Sequence, residues 1–393
     1  MSGGERSKNS EPGRSLKLRE LTRRINAETR SARALVGVIP RMLGVAPPCH
    51  LIVGVRCSSM NNKSDGEMIM KLQRFRAGDR VAVRSAEEIL STLDADGTLD
   101  GLPFMPEMLD WCGKPFRVLR RVEKTCVDLP PPAWGARRRF PANDVVILDG
   151  PRCDGNGHDG CKHGCRIFWR EAWLHPVDAG AATAQRSETG LEELRARLKV
   201  KSDKDHYFCQ STELSKTVEA FPGRRKLWWI RIPLREIRNG DRSVSEVLKL
   251  VVLWGWHSLW RAATGEPWFR GPNNQTPNES LDLKPGDVVR VKSRAQIVET
   301  LNQKSRNRGL GFCHEMTRCC GEAAKVLYRV DRVIDERTGE MRELHDTVAL
   351  QSLRNNETLF DKCLCAHELG DCPRGELMYW REIWLERANR SGT

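Results

Sequence analysis

The sequence predicts a mainly β protein with α insertions, in which two repeated small SH3-like barrel modules are joined by a helical segment. Residues 78–85 and 286–293 both begin with Gly-Asp and continue with valines at alternate positions. A period of two residues is typical of a strand with one buried face. Further short strands separated by turn residues favour a small barrel or sandwich of the SH3-like kind.

A repeat at a constant offset along the chain relates the two modules. The matching pairs within each module are Gly-Leu (101–102 and 309–310), Glu-Met (107–108 and 315–316) and Cys-Gly (112–113 and 320–321). After loops of unequal length, Phe-Trp-Arg-Glu-Ala-Trp-Leu at 168–174 matches Tyr-Trp-Arg-Glu-Ile-Trp-Leu at 379–385. So many agreements indicate an internal duplication, and self-similarity of this kind decides the fold class.

Within the first module we expect a short helical turn over 86–93 and strands over 117–122 and 145–148. The element Trp-Arg-Glu-x-Trp-Leu is expected to be a closing strand, although residues four apart share a face on a helix as well. Its glutamates, Glu171 and Glu382, are expected to cap turns or to pair with the neighbouring Arg170 and Arg381.

The chain divides into five predicted segments. They are a disordered or mis-annotated N-terminal extension (1–67), the first β module with its cysteine cluster (76–178), a helical connecting segment (186–265), a linker (266–283) and the second β module (284–388). Within the connecting segment, 188–198 is predicted helical and 227–234 is predicted to be a strand. A further helix is expected to start at Ser243 or Ser245 and to reach Ala263.

The net charge of +13 is compatible with anionic partners, such as nucleic acid, phosphorylated sugars or an acidic membrane surface. It is equally compatible with a solvated basic surface, because the positive charge is scattered. Residues 247–260 are too short an apolar stretch to span a bilayer. We expect them to be buried between the modules, with peripheral membrane contact or protein docking as the alternative.

The first residues lack the apolar centre of a secretory signal. Together with fourteen cysteines this favours a cytoplasmic, reducing location, where cysteines are thiols or metal ligands.

Several motifs together resemble a known family. They are Gly-Leu-Pro-Phe-Met-Pro-Glu-Met at 101–108, Lys-Thr-Cys at 124–126, Arg-Cys-Asp-Gly at 152–155, Cys-Gln-Ser-Thr-Glu-Leu at 209–214 and the two Trp-Arg-Glu elements. The combination is similar to an uncharacterised bacterial two-repeat, cysteine-containing family that is often encoded near polysaccharide or specialised-metabolite biosynthesis genes. The resemblance covers residues 76–388 and conveys no activity.

Four cysteines of the first module are candidate zinc ligands: Cys126, Cys153, Cys161 and Cys165, with His158 and His163 as alternates. Zinc prefers four sulfur or nitrogen donors in a tetrahedron, and four protein ligands imply a structural site without an open position. Glycines between the cysteines allow a short loop to turn tightly. The alternatives are free thiols buried as small hydrophobes, a redox pair or an iron–sulfur cluster.

A second, weaker site is conceivable in the other module, from Cys363, Cys365, His367 and Cys372. Cys209 lies between the modules and is expected to be buried, with a reactive thiol or an extra metal ligand as the alternatives.

These observations predict a non-catalytic zinc-binding protein that serves as an accessory or scaffold for other proteins. The link to polysaccharide biosynthesis is what the resemblance implies. One alternative is a thiol- or metal-dependent enzyme that uses the cysteine loop or Cys209. Another is a nucleic-acid-binding protein that uses basic SH3-like modules.

Overall fold

A computed structural model describes residues 74–127, 136–177, 187–222, 225–264, 269–313, 315–353, 374–375 and 377–388. The predicted N-terminal extension lies outside these ranges, as do Cys363, Cys365, His367 and Cys372 of the second predicted metal site. The described part is mainly β with several helices, as the sequence predicts.

The first sheet has five antiparallel strands in the order β8-β7-β4-β1-β9. These strands are β1 (Arg80–Val83), β4 (Pro115–Arg121), β7 (Val145–Arg152), β8 (Arg166–Arg170) and β9 (Leu174–Pro176). Two short hairpins accompany the sheet: β2 (Thr98–Leu99) with β3 (Leu102–Pro103), and β5 (Thr125–Val127) with β6 (Ala136–Arg138).

The second sheet has the same strand order in its own part of the chain, β17-β16-β13-β10-β18. Its strands are β10 (Val288–Val291), β13 (Ala323–Arg329), β16 (Thr347–Ser352), β17 (Tyr379–Arg381) and β18 (Leu385–Arg387). Its hairpins are β11 (Arg306–Asn307) with β12 (Leu310–Gly311), and β14 (Arg332–Ile334) with β15 (Met341–Glu343).

Both sheets contain a register shift at one equivalent pairing, between Val118 and Arg120 in β4 and between Val326 and Tyr328 in β13. The first sheet has a further shift where β7 pairs with β8, between Ile147 and Arg152. An extra residue of this kind bends a strand and increases its twist. The shifts in β4 and β13 fall at matching positions of the sequence repeat, so both sheets bend at the same place.

Tryptophans from the Trp-Arg-Glu elements fill the two cores. Trp173 is fully buried and packs edge-to-face on Phe104 with ring centroids 5.3 Å apart. Trp384 is also fully buried and packs on Phe312 at 5.6 Å. Aromatic pairs of this geometry add to the free energy gained from burial of their apolar surface.

One short helix follows the first strand of each sheet: α1 (Ala86–Leu90) in the first and α6 (Arg294–Val298) in the second. Both begin with a capping box, in which the Ser85 or Ser293 hydroxyl accepts a backbone N–H three residues on. The helices between the sheets are α2 (Glu188–Arg197), α3 (Gln210–Thr217), α4 (Arg225–Arg238) and α5 (Val244–Thr264).

The predicted strand over 227–234 is wrong, because these residues belong to helix α4. Trp228, Ile232 and Glu236 are buried at intervals of four residues, whereas Ile230 and Leu234 are exposed. A spacing of four places the buried side chains on one helical face. The run of apolar residues hid this periodicity in the sequence.

The Trp-Arg-Glu-x-Trp-Leu element is also not one continuous strand. In each half, a strand leads into a 3₁₀ turn, Glu171–Trp173 or Glu382–Trp384, and a new strand follows. The turn forms because the glutamate points inward: Glu171 accepts the Phe75 N–H at 2.8 Å and pairs with Arg121. The expected pairing with the adjacent Arg170 is wrong, since Arg170 binds Asp144 instead.

Helix α5 begins where the sequence predicts, with Ser243 accepting the Glu246 N–H at 3.2 Å. The prediction that this helix is buried between the modules is wrong for one of its faces. On that face, Val252 and Leu259 are each 71% exposed and Trp256 is 66% exposed. Among the described residues, the length and apolarity that a membrane-crossing helix requires are not met by any helix.

Glu382 provides a test of how the second half is held together. Its buried carboxylate accepts the N–H groups of Leu281 and Leu283 and pairs with Arg329 at 2.7 Å. We expect Glu382→Ala to lower the free energy of unfolding by about 2 kcal/mol, mainly because the Leu281 and Leu283 N–H groups lose their acceptor, whereas Arg329 is 37% exposed and can be solvated. Urea unfolding followed by tryptophan fluorescence measures this change.

The control is Glu386→Ala, which removes an exposed carboxylate that lies 3.9 Å from Arg290. Exposed pairs contribute little, so a loss below about 0.5 kcal/mol is expected. Equal losses for the two variants would show that Glu382 has no special role in this half.

Candidate metal centre

The cysteine loop, residues 153–165, connects strands β7 and β8 and carries three of the four predicted zinc ligands. The last pair of the β7–β8 ladder is Arg152 opposite Arg166. One residue further on, the Cys153 N–H donates to the Cys165 carbonyl at 2.8 Å. The ladder therefore brings the two ends of the loop, with their thiols, to neighbouring positions.

A tight turn at Gly155 folds the middle of the loop back toward its start. Gly155 has a φ of +72°, and a Cβ at this position would lie 2.0 Å from the Cys161 carbonyl oxygen. Its own carbonyl accepts the N–H groups of His158 and Gly160, both at 2.9 Å. Only glycine fits such a close approach, and the turn returns Cys161 to the vicinity of Cys153.

Cys209 joins these thiols from a distant part of the chain. It precedes helix α3, whose first residue, Gln210, is buried against strand β8. The Gln210 Oε1 accepts the Phe168 N–H at 2.9 Å, and its Nε2 donates to the Phe168 carbonyl at 2.9 Å. The side-chain amide thus pairs with the strand as another strand would, and it fixes Cys209 beside the loop.

The four thiols of Cys153, Cys161, Cys165 and Cys209 line one cavity of about 30 Å³. We call it the cysteine cavity. The other lining side chains are mainly those of Met105, His158, His163, Arg166, Phe168, Gln210, Ser211, Ile334 and Arg374. A volume of this size corresponds to roughly one water molecule or one ion.

His163 and Arg374 determine the charge state of Cys165. The His163 Nδ1 lies 3.1 Å from the Cys165 Sγ, and the Ser211 Oγ lies 3.4 Å from it. Burial acts to raise the pKa of the Cys165 thiol, but His163, Arg374 and Ser211 together outweigh it and lower the pKa to about 7. Cys165 is therefore the thiol closest to ionisation at neutral pH.

The pKa values of the other three thiols are raised rather than lowered. Burial is the main cause: it raises the pKa of Cys153 and Cys161, and it raises that of Cys209 to about 12. The negative charge of Cys165 is a further cause in all three cases. The four sulfurs thus repel each other as thiolates unless a cation lies between them.

The sequence offers His158 as an alternate ligand, but both of its ring nitrogens have hydrogen-bond partners in the protein. Its Nδ1 lies 2.7 Å from the Glu107 Oε1, and its Nε2 lies 3.2 Å from the Phe208 carbonyl oxygen. Burial disfavours the imidazolium, but the hydrogen bond and charge of Glu107 prevail and raise the pKa of His158. This histidine holds the loop in place rather than pointing a free nitrogen at the cavity.

The loop also contacts the second sheet's part of the chain. The Lys162 N–H donates to the Arg332 carbonyl at 2.9 Å, and the Tyr379 hydroxyl donates to the His163 carbonyl at 3.2 Å. Arg374 connects the two parts through its side chain, which binds Ser211 at 3.2 Å and pairs with Glu336. Both halves of the chain therefore contribute to the walls around the four thiols.

Cys126 lies on β5 opposite Arg137, and it is not among the residues that line the cysteine cavity. The structure thus brings together three of the predicted ligands and adds Cys209. In the part of the chain that the structure describes, no three His, Cys, Asp or Glu side chains are already arranged to hold a metal ion. Metal binding would require the four sulfurs to move inward from the cavity wall.

Comparison with protein-family models, with curated proteins and with solved structures found no match for this chain. The resemblance described above therefore stays a prediction.

The Glu107–His158 pair allows a test by pH titration. The raised pKa of His158 stabilises the fold below pH 6.5, and this stabilisation is lost as the pH rises through the folded-state pKa of His158. The lowered pKa of Glu107 stabilises the fold above pH 4.5, and this stabilisation is lost as the pH falls through the folded-state pKa of Glu107. We expect Glu107→Gln to lower the pKa of His158 below 6.5, because burial remains while the carboxylate charge is gone. NMR titration of the histidine ring protons measures this shift.

The stability difference between wild type and Glu107→Gln should be largest between pH 4.5 and 6.5. The control is Asp203→Asn, which affects the exposed Asp203–His206 pair and should leave stability unchanged. A His158 pKa that stays above 6.5 in Glu107→Gln would contradict the role assigned to Glu107.

Proposed function

We propose that Cys153, Cys161, Cys165 and Cys209 bind one structural zinc ion, and that the protein is a non-catalytic scaffold. The observation that carries this proposal is the convergence of four thiols from two distant segments on a cavity sized for one ion. Four thiolates are a donor set that zinc prefers, and they leave no open position for a water or a substrate.

The ligand set differs from the predicted one in a single residue, with Cys209 in place of Cys126. Gln210 supports this exchange, because it attaches the start of helix α3 directly to strand β8 next to the loop. The rest of the donor set is unchanged from the sequence prediction. A zinc ion here would connect the loop of the first sheet with helix α3.

We further propose that the two sheets belong to duplicated SH3-like modules. The equal strand order, the matching bulges and the two serine capping boxes support this reading. Two such modules held at a fixed distance suit an accessory protein that binds other proteins. The association with polysaccharide biosynthesis is supported by the sequence resemblance alone.

Metal content tests the proposal. Protein purified after expression with added zinc should contain about one zinc per chain, measured by inductively coupled plasma mass spectrometry. Cys153→Ser and Cys209→Ser should each remove most of this zinc, because three thiolates bind it far more weakly. Cys320→Ser is the control, since this half-buried thiol lies outside the cysteine cavity.

Cys126→Ser distinguishes the two ligand sets. It should retain zinc if Cys209 is the fourth ligand and lose it if Cys126 is. Wild-type protein without zinc, or zinc that survives both Cys153→Ser and Cys209→Ser, would refute the proposed site.

A second candidate function is thiol chemistry at Cys165. The observation that favours it is the distance of 3.1 Å between the His163 Nδ1 and the Cys165 Sγ, which is a nucleophile–base arrangement. Glu336 lies 4.0 Å from the other nitrogen of His163 and could orient the ring. The small volume of the cavity favours the zinc proposal over this one.

Alkylation with iodoacetamide separates the two candidates. For a zinc site, all four thiols should react only after chelation, and Cys165 should then react fastest, with a midpoint near pH 7. His163→Ala should shift this midpoint upward, because the imidazole no longer stabilises the thiolate. Rapid reaction of Cys165 alone, before any chelation, would favour the enzyme and count against the zinc site.

A further inference from the structure

A second cavity, distant in sequence from the cysteine loop, is lined largely by arginines. It has a volume of about 160 Å³ and lies between the segment at Arg74–Arg76, the end of strand β4 and the last turn of helix α4. Five arginines line it, with Glu123 as the lining carboxylate: Arg74, Arg76, Arg121, Arg235 and Arg238. We call it the arginine recess.

The floor of the recess is electrically balanced. Buried Arg121 pairs with Glu171 and donates to the carbonyl oxygens of Phe75 and Asn143. Buried Glu123 lies 3.1 Å from the Arg235 Nη1 and accepts the Asn239 Nδ2–H at 2.8 Å. The partners of these charged groups come from the protein itself.

The mouth of the recess is not balanced. Arg74, Arg76 and Arg238 are exposed there, and none of them has an ion pair with a carboxylate of the described residues. A position in the last turn of a helix suits the positive charge of Arg238. That argument does not account for Arg74 and Arg76, which come from another segment and line the same recess.

We propose that the arginine recess binds the phosphate group of a small phosphate monoester. A guanidinium donates paired hydrogen bonds to phosphate oxygens, and several arginines around one recess are typical of phosphate recognition. The volume is below that of a site for a whole drug-sized ligand, so the recess takes the phosphate and leaves the rest of the molecule outside. This site is independent of the proposed zinc site.

The source of the phosphate group is either a soluble monoester or a lipid headgroup, and the test has an arm for each. The full-length protein is titrated calorimetrically with inorganic phosphate and with glycerol 3-phosphate in chloride buffer of low ionic strength. In parallel, flotation is measured with neutral vesicles and with vesicles that contain phosphatidic acid, whose headgroup is a phosphate monoester.

The test variant is Arg76→Gln combined with Arg238→Gln. Both side chains are exposed, so the fold is expected to persist, and circular dichroism checks this. Each lost guanidinium should weaken phosphate binding by about tenfold or more, because charge-assisted hydrogen bonds are lost. The control combines Arg270→Gln with Arg318→Gln, two exposed arginines elsewhere that lower the net charge equally.

Binding of the soluble probes that is lost only in the Arg76/Arg238 variant supports the proposal. Vesicle flotation that requires phosphatidic acid and is lost in the same variant supports it with a lipid as the source. The proposal is overturned if neither probe binds, or if the control variant loses binding to the same extent as the test variant.

Discussion

The buried hydrogen bond between Glu107 and His158 holds three separate segments at one point. Glu107 belongs to the 3₁₀ turn after β3, His158 to the cysteine loop, and the Phe208 carbonyl, which the other ring nitrogen contacts, to the segment before α3. Glu107 also accepts the Gly157 N–H at 3.1 Å. This pair therefore ties the loop to the 3₁₀ turn after β3 and to the segment before helix α3.

Burial alone disfavours the charged forms of Glu107 and His158, and their mutual hydrogen bond and attraction outweigh it. Both side chains are 1% exposed, so each needs a partner that offsets the loss of hydration. A hydrogen bond at 2.7 Å between opposite charges provides this offset, and it also fixes the orientation of the imidazole. Met105, Phe168 and Ile334 supply the apolar part of the wall of the cysteine cavity.

Local patterns in the sequence were enough to predict the strands that begin at residues 80 and 288, the short helix α1 and the start of helix α5. They were not enough for contacts between distant residues. The addition of Cys209 to the cavity depends on Gln210 binding Phe168, and no spacing rule connects these residues. The partner of Glu171 is Arg121 on strand β4, and the adjacent Arg170 pairs with Asp144 instead. The motif at 209–214 was the available signal, and it identified Cys209 without locating it.

The contacts between the loop and the second half imply that neither half is a detachable unit. Lys162 completes its backbone hydrogen bonding with Arg332, and the Cys161 sulfur accepts the Ile334 N–H at 3.4 Å. A gene fragment ending before residue 284 would leave these groups facing water and would remove Arg374 from beside Ser211. The two halves could therefore not be exchanged as interchangeable building blocks without rebuilding the walls that they share.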